Sequence, residues 1–170
     1  RVLLIGDSIL ASTSSRYGNQ VCDALVPLGW RVAVEAEPSR FIDFGNLVLD
    51  RVLPDKLGSA DDWNVAVVFL GSNYGGSASR YEKELVEILD RLAPRPVLLF
   101  TVTDYRPNYV EVNQVVERQG AARDNVTVLD WRTTSSISGI LSSDRLHPTN
   151  TGRRVLAESI AVALGPIGDG

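Results

Sequence analysis

Three residues of this sequence have the types and spacing needed for nucleophilic attack on a carbonyl. Ser8 follows a short apolar run that ends in Gly6, and His147, the only histidine, lies three residues after Asp144. An imidazole can take a serine proton near neutral pH, and a carboxylate can hold the imidazole in the required orientation. The set predicts a serine nucleophile, a general base and an orienting acid.

Each motif also has a plain structural interpretation. Gly-Asp-Ser after a strand is commonly an ordinary turn, and Asp-x-x-His can be a capped turn with a surface histidine. Pro148 directly follows His147 and keeps it out of a helix, in an extended or turn conformation. From that position Asp144 can turn back to one ring nitrogen and leave the other for Ser8.

The segments that must position these residues alternate between strands and helices. Strands are predicted for the run before Gly6 and for 31–36, 65–70, 96–102 and 126–129. Helices are predicted just after Ser8 and at 15–28, 41–53, 79–92, 107–120 and 149–164, with a polar connector at 54–62, a loop at 135–143 and a frayed tail at 165–170. This alternation predicts a parallel five-stranded sheet in a three-layer α/β sandwich, as one domain over 1–170.

The loops that follow parallel strands meet at one edge of the sheet. Three of the predicted loops have unusual content: the first carries Ser8, the third carries Asn73 shortly after Gly71, and the last carries Asp144 and His147. We therefore expect these side chains to converge at the carboxyl edge.

Composition excludes several other classes of protein. The 170 residues are 44% hydrophobic and 22% charged, as expected for one globular domain, and the net charge of −4 argues against nucleic-acid binding. One cysteine, Cys22, excludes an internal disulfide. A single histidine and no acid cluster offer no ligand set, so neither a metal nor a cofactor is expected. The chain contains no methionine and begins at a predicted core strand, which favours a domain excised from a longer protein.

Three short motifs resemble blocks I, III and V of the SGNH (GDSL-type) hydrolase superfamily. They are Gly6-Asp7-Ser8, Gly71-Ser72-Asn73 and Asp144-Arg145-Leu146-His147, and their order and spacing match over nearly the whole chain. The resemblance implies a flavodoxin-like sheet with Ser8 as nucleophile, His147 as base and Asp144 as its orienting acid. It also implies that the backbone N–H of Ser8 and the side chain of Asn73 donate to an oxyanion.

Block II departs from the family pattern. The family has a glycine after the second strand, whose backbone N–H is a third oxyanion donor, whereas this chain has Ser39 there and Gly45 six residues later. We favour Ser39, because its distance from the strand end decides where its N–H points. A serine serves as donor if the turn does not require a positive φ. Gly45 is the alternative.

Finer features resemble the C-terminal SGNH domains fused to membrane acyltransferase-3 proteins. They are Asp130-Trp131, Val112-Asn113 and Ser39-Arg40-Phe41. The resemblance implies an extracytoplasmic domain, tethered to the membrane by an N-terminal acyltransferase domain in the same chain. Its partners would be an acyl donor and a cell-envelope polysaccharide, O-acylated through an acyl-Ser8 intermediate. In plainer interpretations Asn113 is a surface helix residue and Trp131 only packs beneath the site.

Two other functions fit the same residues. One is a free-standing carboxylesterase that acts on small or lipid esters, although the small polar loop 74–79 favours a hydrophilic acyl acceptor. The other is a catalytically silent domain that binds glycans or a partner protein, which the departure at block II keeps open.

Overall fold

The computed structural model describes residues 1–53 and 57–167, which alternate between strands and helices. The strands are β1 (Val2–Gly6), β2 (Val32–Ala36), β3 (Val65–Phe69), β4 (Val97–Phe100) and β5 (Val126–Leu129). The helices are α1 (Ser8–Ala11), α2 (Gln20–Leu25), α3 (Phe44–Val52), α4 (Ala78–Leu92), α5 (Tyr109–Ala121), α6 (Trp131–Ser135) and α7 (Asn150–Leu164).

All neighbouring strands are parallel, in the order β2-β1-β3-β4-β5. Strand β1 lies between β2 and β3, so that Gly6 pairs with Ala36 on one side and with Phe69 on the other. Every residue of β1 and of β3 is buried, as expected for strands covered by helices on both faces. The predicted three-layer α/β sandwich is confirmed.

The helices fall into two packing groups. Helix α2 packs against α7, and α4 packs against both α3 and α5. Their apolar faces and the sheet enclose one continuous hydrophobic core. Within residues 1–53 and 57–167, no helix combines the length and the apolar character needed to cross a membrane.

Several helix boundaries differ from the prediction. The helix expected over 15–28 is α2 followed by a short 3₁₀ turn (Val26–Leu28), because Gly18 and Asn19 have φ values of 129° and 66°, outside the right-handed helical region. Helix α3 begins at Phe44 rather than Phe41, after a turn. Residues 54–56 of the predicted connector and 168–170 of the predicted tail lie outside the described residues.

Candidate active site

Ser8 is the first residue of α1, two residues beyond the end of the buried strand β1. The chain turns there from strand to helix so tightly that a Cβ on Gly6 would lie 2.5 Å from the Cβ of Leu10. Only glycine fits at this position, since real Cβ contacts of that length do not occur. The backbone N–H of Ser8, at the start of a helix, has no acceptor within that helix.

Asp7 connects the serine turn to the loop after β3. Its side chain is fully buried; one carboxylate oxygen accepts the Ile9 N–H at 3.0 Å, and the other accepts the N–H groups of Ser72 at 2.9 Å and Gly71 at 3.3 Å. Burial raises the pKa of Asp7 to about 6, and these N–H donors oppose part of the rise. Through these hydrogen bonds Asp7 holds Ser8 and the loop that carries Asn73 in a fixed relation.

The structure brings Ser8, His147 and Asp144 into one hydrogen-bonded series. The Ser8 Oγ lies 3.1 Å from the His147 Nε2, and the His147 Nδ1 lies 2.7 Å from an Asp144 carboxylate oxygen. With its proton on Nδ1, a neutral imidazole donates to Asp144 and accepts the serine hydroxyl proton at Nε2. This arrangement can activate a serine hydroxyl as a nucleophile.

Asp144 accepts several further hydrogen bonds through its second carboxylate oxygen. The donors are the N–H groups of Leu146 and His147, each at 2.9 Å, and the Ser142 hydroxyl at 2.8 Å. Burial acts to raise the pKa of Asp144, but the hydrogen bonds from His147, Leu146 and Ser142 outweigh it and hold the pKa well below its usual range. Asp144 therefore stays ionised and can orient the imidazole.

The segment 141–149, which we call the base loop, is closed by its own contacts. Leu141 and Pro148 form an isolated antiparallel bridge, and the Ser142 N–H donates to the His147 carbonyl at 2.8 Å. At the end of the loop, the Thr149 hydroxyl caps α7 by accepting the Gly152 N–H at 3.1 Å. His147 is thus positioned by local hydrogen bonds rather than by burial.

Asn73 lies in the loop that Asp7 ties to the serine turn. Its side-chain nitrogen donates to the Arg40 carbonyl at 3.0 Å, which uses one amide hydrogen and leaves the second for another acceptor. Ser72, which precedes Asn73, makes a second hydrogen bond besides the one to Asp7: its carbonyl accepts the Tyr109 hydroxyl at 2.8 Å. The bond to Arg40 also brings the turn after β2 next to Asn73.

The two candidates for the block II donor are in different environments. Ser39 is exposed and has a φ of 62°, so this turn does use a positive φ, which a glycine adopts more readily than a serine. Gly45 lies inside α3, where its N–H donates to the Ile42 carbonyl at 3.1 Å and a Cβ would overlap the Ile88 side chain. Gly45 is therefore a packing glycine, and the alternative donor is excluded.

Asn113 and Trp131 are both buried residues with packing or hydrogen-bonding partners. Asn113 is buried, so its interpretation as a surface residue is wrong. Its side-chain amide accepts the Val102 N–H at 2.7 Å and donates to the Val102 carbonyl at 2.9 Å. Trp131 is buried and packs edge-to-face against Phe69, which confirms that it lies beneath the sheet edge. Within the described residues, no group of three or more His, Cys, Asp or Glu side chains is placed to hold a metal ion.

The buried Asp7 is the functional residue that the sequence analysis did not single out. The available signal was its position directly before the first helical residue, where Asp is a favoured cap. Its partners Gly71 and Ser72 lie 64 and 65 residues away, so the sequence alone gives no sign of the contact.

Comparison with solved structures identifies the fold. The chain superimposes on a lipase/acylhydrolase from Enterococcus faecalis with a TM-score of 0.77 at 21% identity, covering 98% of each chain. A member of the lipolytic protein G-D-S-L family from Veillonella parvula gives a TM-score of 0.73 at 19% identity, over 93% of this chain and 94% of that one. The chain therefore has the SGNH (GDSL-type) hydrolase fold.

A more specialised protein shares this fold. The C-terminal catalytic domain of peptidoglycan O-acetyltransferase A from Streptococcus pneumoniae gives a TM-score of 0.70 at 18% identity, over 96% of this chain and 91% of that domain. No family model matches the chain, and no curated protein matches it in sequence.

Proposed function

We propose that this chain is a serine-dependent acyltransferase or esterase, with Ser8 as nucleophile, His147 as general base and Asp144 as the acid that orients it. The observation that carries the proposal is the series Ser8 Oγ, His147 and Asp144, joined by distances of 3.1 and 2.7 Å. The shared fold with esterases and with an O-acetyltransferase domain supports the same class of chemistry.

The reaction proceeds in two steps. His147 Nε2 takes the hydroxyl proton as Ser8 Oγ attacks an ester carbonyl, and the carbonyl oxygen becomes negatively charged. The N–H of Ser8 and the amide of Asn73 stabilise this oxyanion, at about 2.7–4 kcal/mol per donor. The N–H of Ser39 is the third donor, because Ser39 itself adopts the positive φ of 62° that a glycine would supply in this turn. His147 returns its proton to the leaving alcohol, which leaves an acyl-Ser8 ester. A sugar hydroxyl or water then attacks that ester, again with His147 as base.

The acceptor in this proposal is a cell-envelope polysaccharide, and the group transferred is of the O-acetyl type. The resemblance to acyltransferase-3-fused domains supports this choice, as does the fold shared with the domain of peptidoglycan O-acetyltransferase A. The proposal places the domain outside the cytoplasm, tethered to the membrane in the full-length protein by an acyltransferase domain that supplies the acyl donor.

Substitution of the nucleophile tests the chemistry. We expect Ser8→Ala to abolish hydrolysis of p-nitrophenyl acetate while thermal unfolding stays unchanged. Ser12→Ala is the matched control, because Ser12 lies one helical turn further on and its hydroxyl donates to the Ile9 carbonyl at 2.6 Å. Full activity in Ser8→Ala would falsify the assignment of the nucleophile.

A free-standing carboxylesterase is the second candidate. A cavity of about 320 Å³ beside Asn73 favours it, because Phe41, Ile42, Tyr74 and Tyr81 give the cavity an apolar lining that an acyl chain could occupy. The two functions separate when acyl transfer to an oligosaccharide is measured beside hydrolysis. No transfer product at any acceptor concentration favours the esterase.

A silent binding domain makes the opposite prediction for covalent labelling. A fluorophosphonate probe should label the proposed enzyme stoichiometrically at Ser8, since the probe reacts with an activated serine. Folded protein that stays unlabelled would support a domain that binds glycans or a partner protein without catalysis.

A further inference from the structure

A cavity of about 360 Å³ adjoins the base loop. Its walls are the segment 103–105 after β4, the segment from α6 to the base loop, and the side chain of Arg145. Both segments leave the carboxyl ends of their strands, so the cavity lies at the same edge of the sheet as Ser8. Its volume is within the range of small-molecule sites, about 300–1,000 Å³.

Two residues connect this cavity to the proposed catalytic acid. Ser142 lines the cavity and donates its hydroxyl hydrogen to Asp144 at 2.8 Å. Arg145, which also lines the cavity, directly follows Asp144 in the chain and has a left-handed φ of 59°. A ligand in the cavity would therefore contact the loop that carries the acid and the base.

The charged side chains of the cavity carry a positive excess. Arg132 and Arg145 line it together with one acid, Asp104, and Asp104 accepts a hydrogen bond from Arg132 Nε at 2.6 Å. Within residues 1–53 and 57–167, Arg145 makes no ion pair. Because a guanidinium binds a carboxylate through two parallel hydrogen bonds, the cavity favours a carboxylate ligand although the whole chain is acidic.

The remaining lining residues combine hydrogen-bonding groups with apolar surface. Ser136 and Ser138 are exposed and provide hydroxyl groups; the Ser136 hydroxyl donates to the Thr133 carbonyl at 2.7 Å and keeps its lone pairs for a ligand. Tyr105 and the exposed Ile137 add apolar surface. A sugar ring presents the same combination, with hydroxyl groups around its rim and C–H groups on its faces.

We propose that this cavity binds a sugar unit that carries a carboxylate, held by Arg145 beside the acyl-transfer site. The inference rests on the proposed function, to which it adds the chemical class of the acceptor. Arg145 pairs with the carboxylate, while the exposed hydroxyls of Ser136 and Ser138 bond to the hydroxyl groups of the sugar.

Titration with a matched pair of sugars tests the inference. Glucuronic acid and glucose differ in one carboxylate, and their binding to Ser8→Ala protein can be followed by backbone NMR shifts. We expect glucuronic acid to bind about tenfold more tightly than glucose, with shifts at 103–105 and 135–145, because a charged hydrogen-bonded pair contributes on that scale. Arg145→Gln should remove the preference, and Arg145→Lys should restore part of it.

Arg31→Gln is the charge-matched control. Arg31 is exposed and immediately precedes β2. Strand β2 is the outermost strand on the side of the sheet away from β4 and β5, which the cavity follows, so loss of Arg31 should leave the preference intact. Equal binding of both sugars, equal competition by inorganic phosphate, or an Arg31→Gln effect as large as that of Arg145→Gln would overturn the inference.

The outcomes also separate this inference from the proposed function. If the protein reacts with the fluorophosphonate probe but does not prefer glucuronic acid, the proposed function stands and the proposed acceptor site is wrong. If the protein binds glucuronic acid at this cavity but stays unlabelled at Ser8, the proposed binding site stands and the proposed function is wrong.

Discussion

The two halves of the candidate active site are held in place by different means. The half that carries Ser8 follows a strand whose apolar residues are completely buried, and its neighbour Asp7 is buried as well. The half that carries the base is open to solvent, with the side chains of His147 and Asp144 46% and 49% exposed. The sheet fixes the first half, whereas hydrogen bonds within the base loop fix the second.

The contrast is clearest in the two aspartates. Burial raises the pKa of Asp7 to about 6. Burial also acts to raise the pKa of Asp144, but the hydrogen bonds that Asp144 accepts outweigh it and bring that pKa below the usual range. Asp7 joins segments that are distant in sequence, whereas within residues 1–53 and 57–167 Asp144 bonds only to residues within three positions. Loss of Asp7 should therefore weaken the fold, and loss of Asp144 should weaken the chemistry.

The largest expected effect is on catalysis. Asp144→Asn should lower kcat for p-nitrophenyl acetate by about 10⁴-fold, because an amide at this position favours the imidazole tautomer that cannot accept the serine proton. The free energy of unfolding, measured by urea denaturation, should change by less than about 1 kcal/mol, as is typical of exposed pairs. A loss of stability as large as the loss of activity would show that the base loop also supports the core.

The second effect is on the fold. Asp7→Ala should lower the free energy of unfolding at pH 8 by about 3 kcal/mol or more, because it leaves the buried N–H groups of Ile9, Gly71 and Ser72 without their acceptor. Urea denaturation measures the change, and Asp144→Ala, which removes the same group from an exposed site, is the control. Equal stability in the two variants would contradict the comparison.

The third effect is a pH dependence of opposite sign at the two aspartates. The pKa of Asp7 is about 6 in the folded chain against an ordinary 3.8, so between these values only the folded chain holds the proton. Asp7 therefore stabilises the fold at low pH, and about 3 kcal/mol is lost as the pH rises from about 4 to 6. The stability difference between wild type and Asp7→Ala, measured across this range, should shrink accordingly.

Asp144 provides the reference of opposite sign. Because its pKa is lowered in the folded chain, Asp144 stabilises the fold at pH values above the ordinary carboxyl pKa. This contribution disappears as the pH falls through the folded pKa. The stability difference between wild type and Asp144→Asn should therefore shrink on acidification. Two profiles with the same sign would show that burial does not dominate at Asp7.

The parts of the structure that the sequence predicted are those that local pattern determines. The buried strand before Ser8 and the central strand ending at Phe69 are short apolar runs with clear boundaries. Asp144 and His147 are three residues apart and a proline follows His147, so the hydrogen bond between them is also determined by the local sequence. These features require no knowledge of distant segments.

The features that the sequence did not predict depend on backbone conformation or on distant contacts. Non-glycine residues in the left-handed region, such as Asn19 and Ser39, have no pattern that marks them, so the sequence predicts neither the late start of α2 nor the positive φ at Ser39. The sequence also does not show that Gly45 packs against Ile88, which lies more than forty residues away. The position of Asp7 depends on a loop more than sixty residues away.

The contact between Asp7 and the loop after β3 has a consequence for protein synthesis. During synthesis Ser8 emerges before the residues that position it, because the N–H groups of Gly71 and Ser72 that donate to Asp7 follow later, and His147 later still. Nascent fragments that lack these residues therefore contain Ser8 without the contacts that position it. The series of Ser8, His147 and Asp144 assembles only once the base loop has been synthesised and folded.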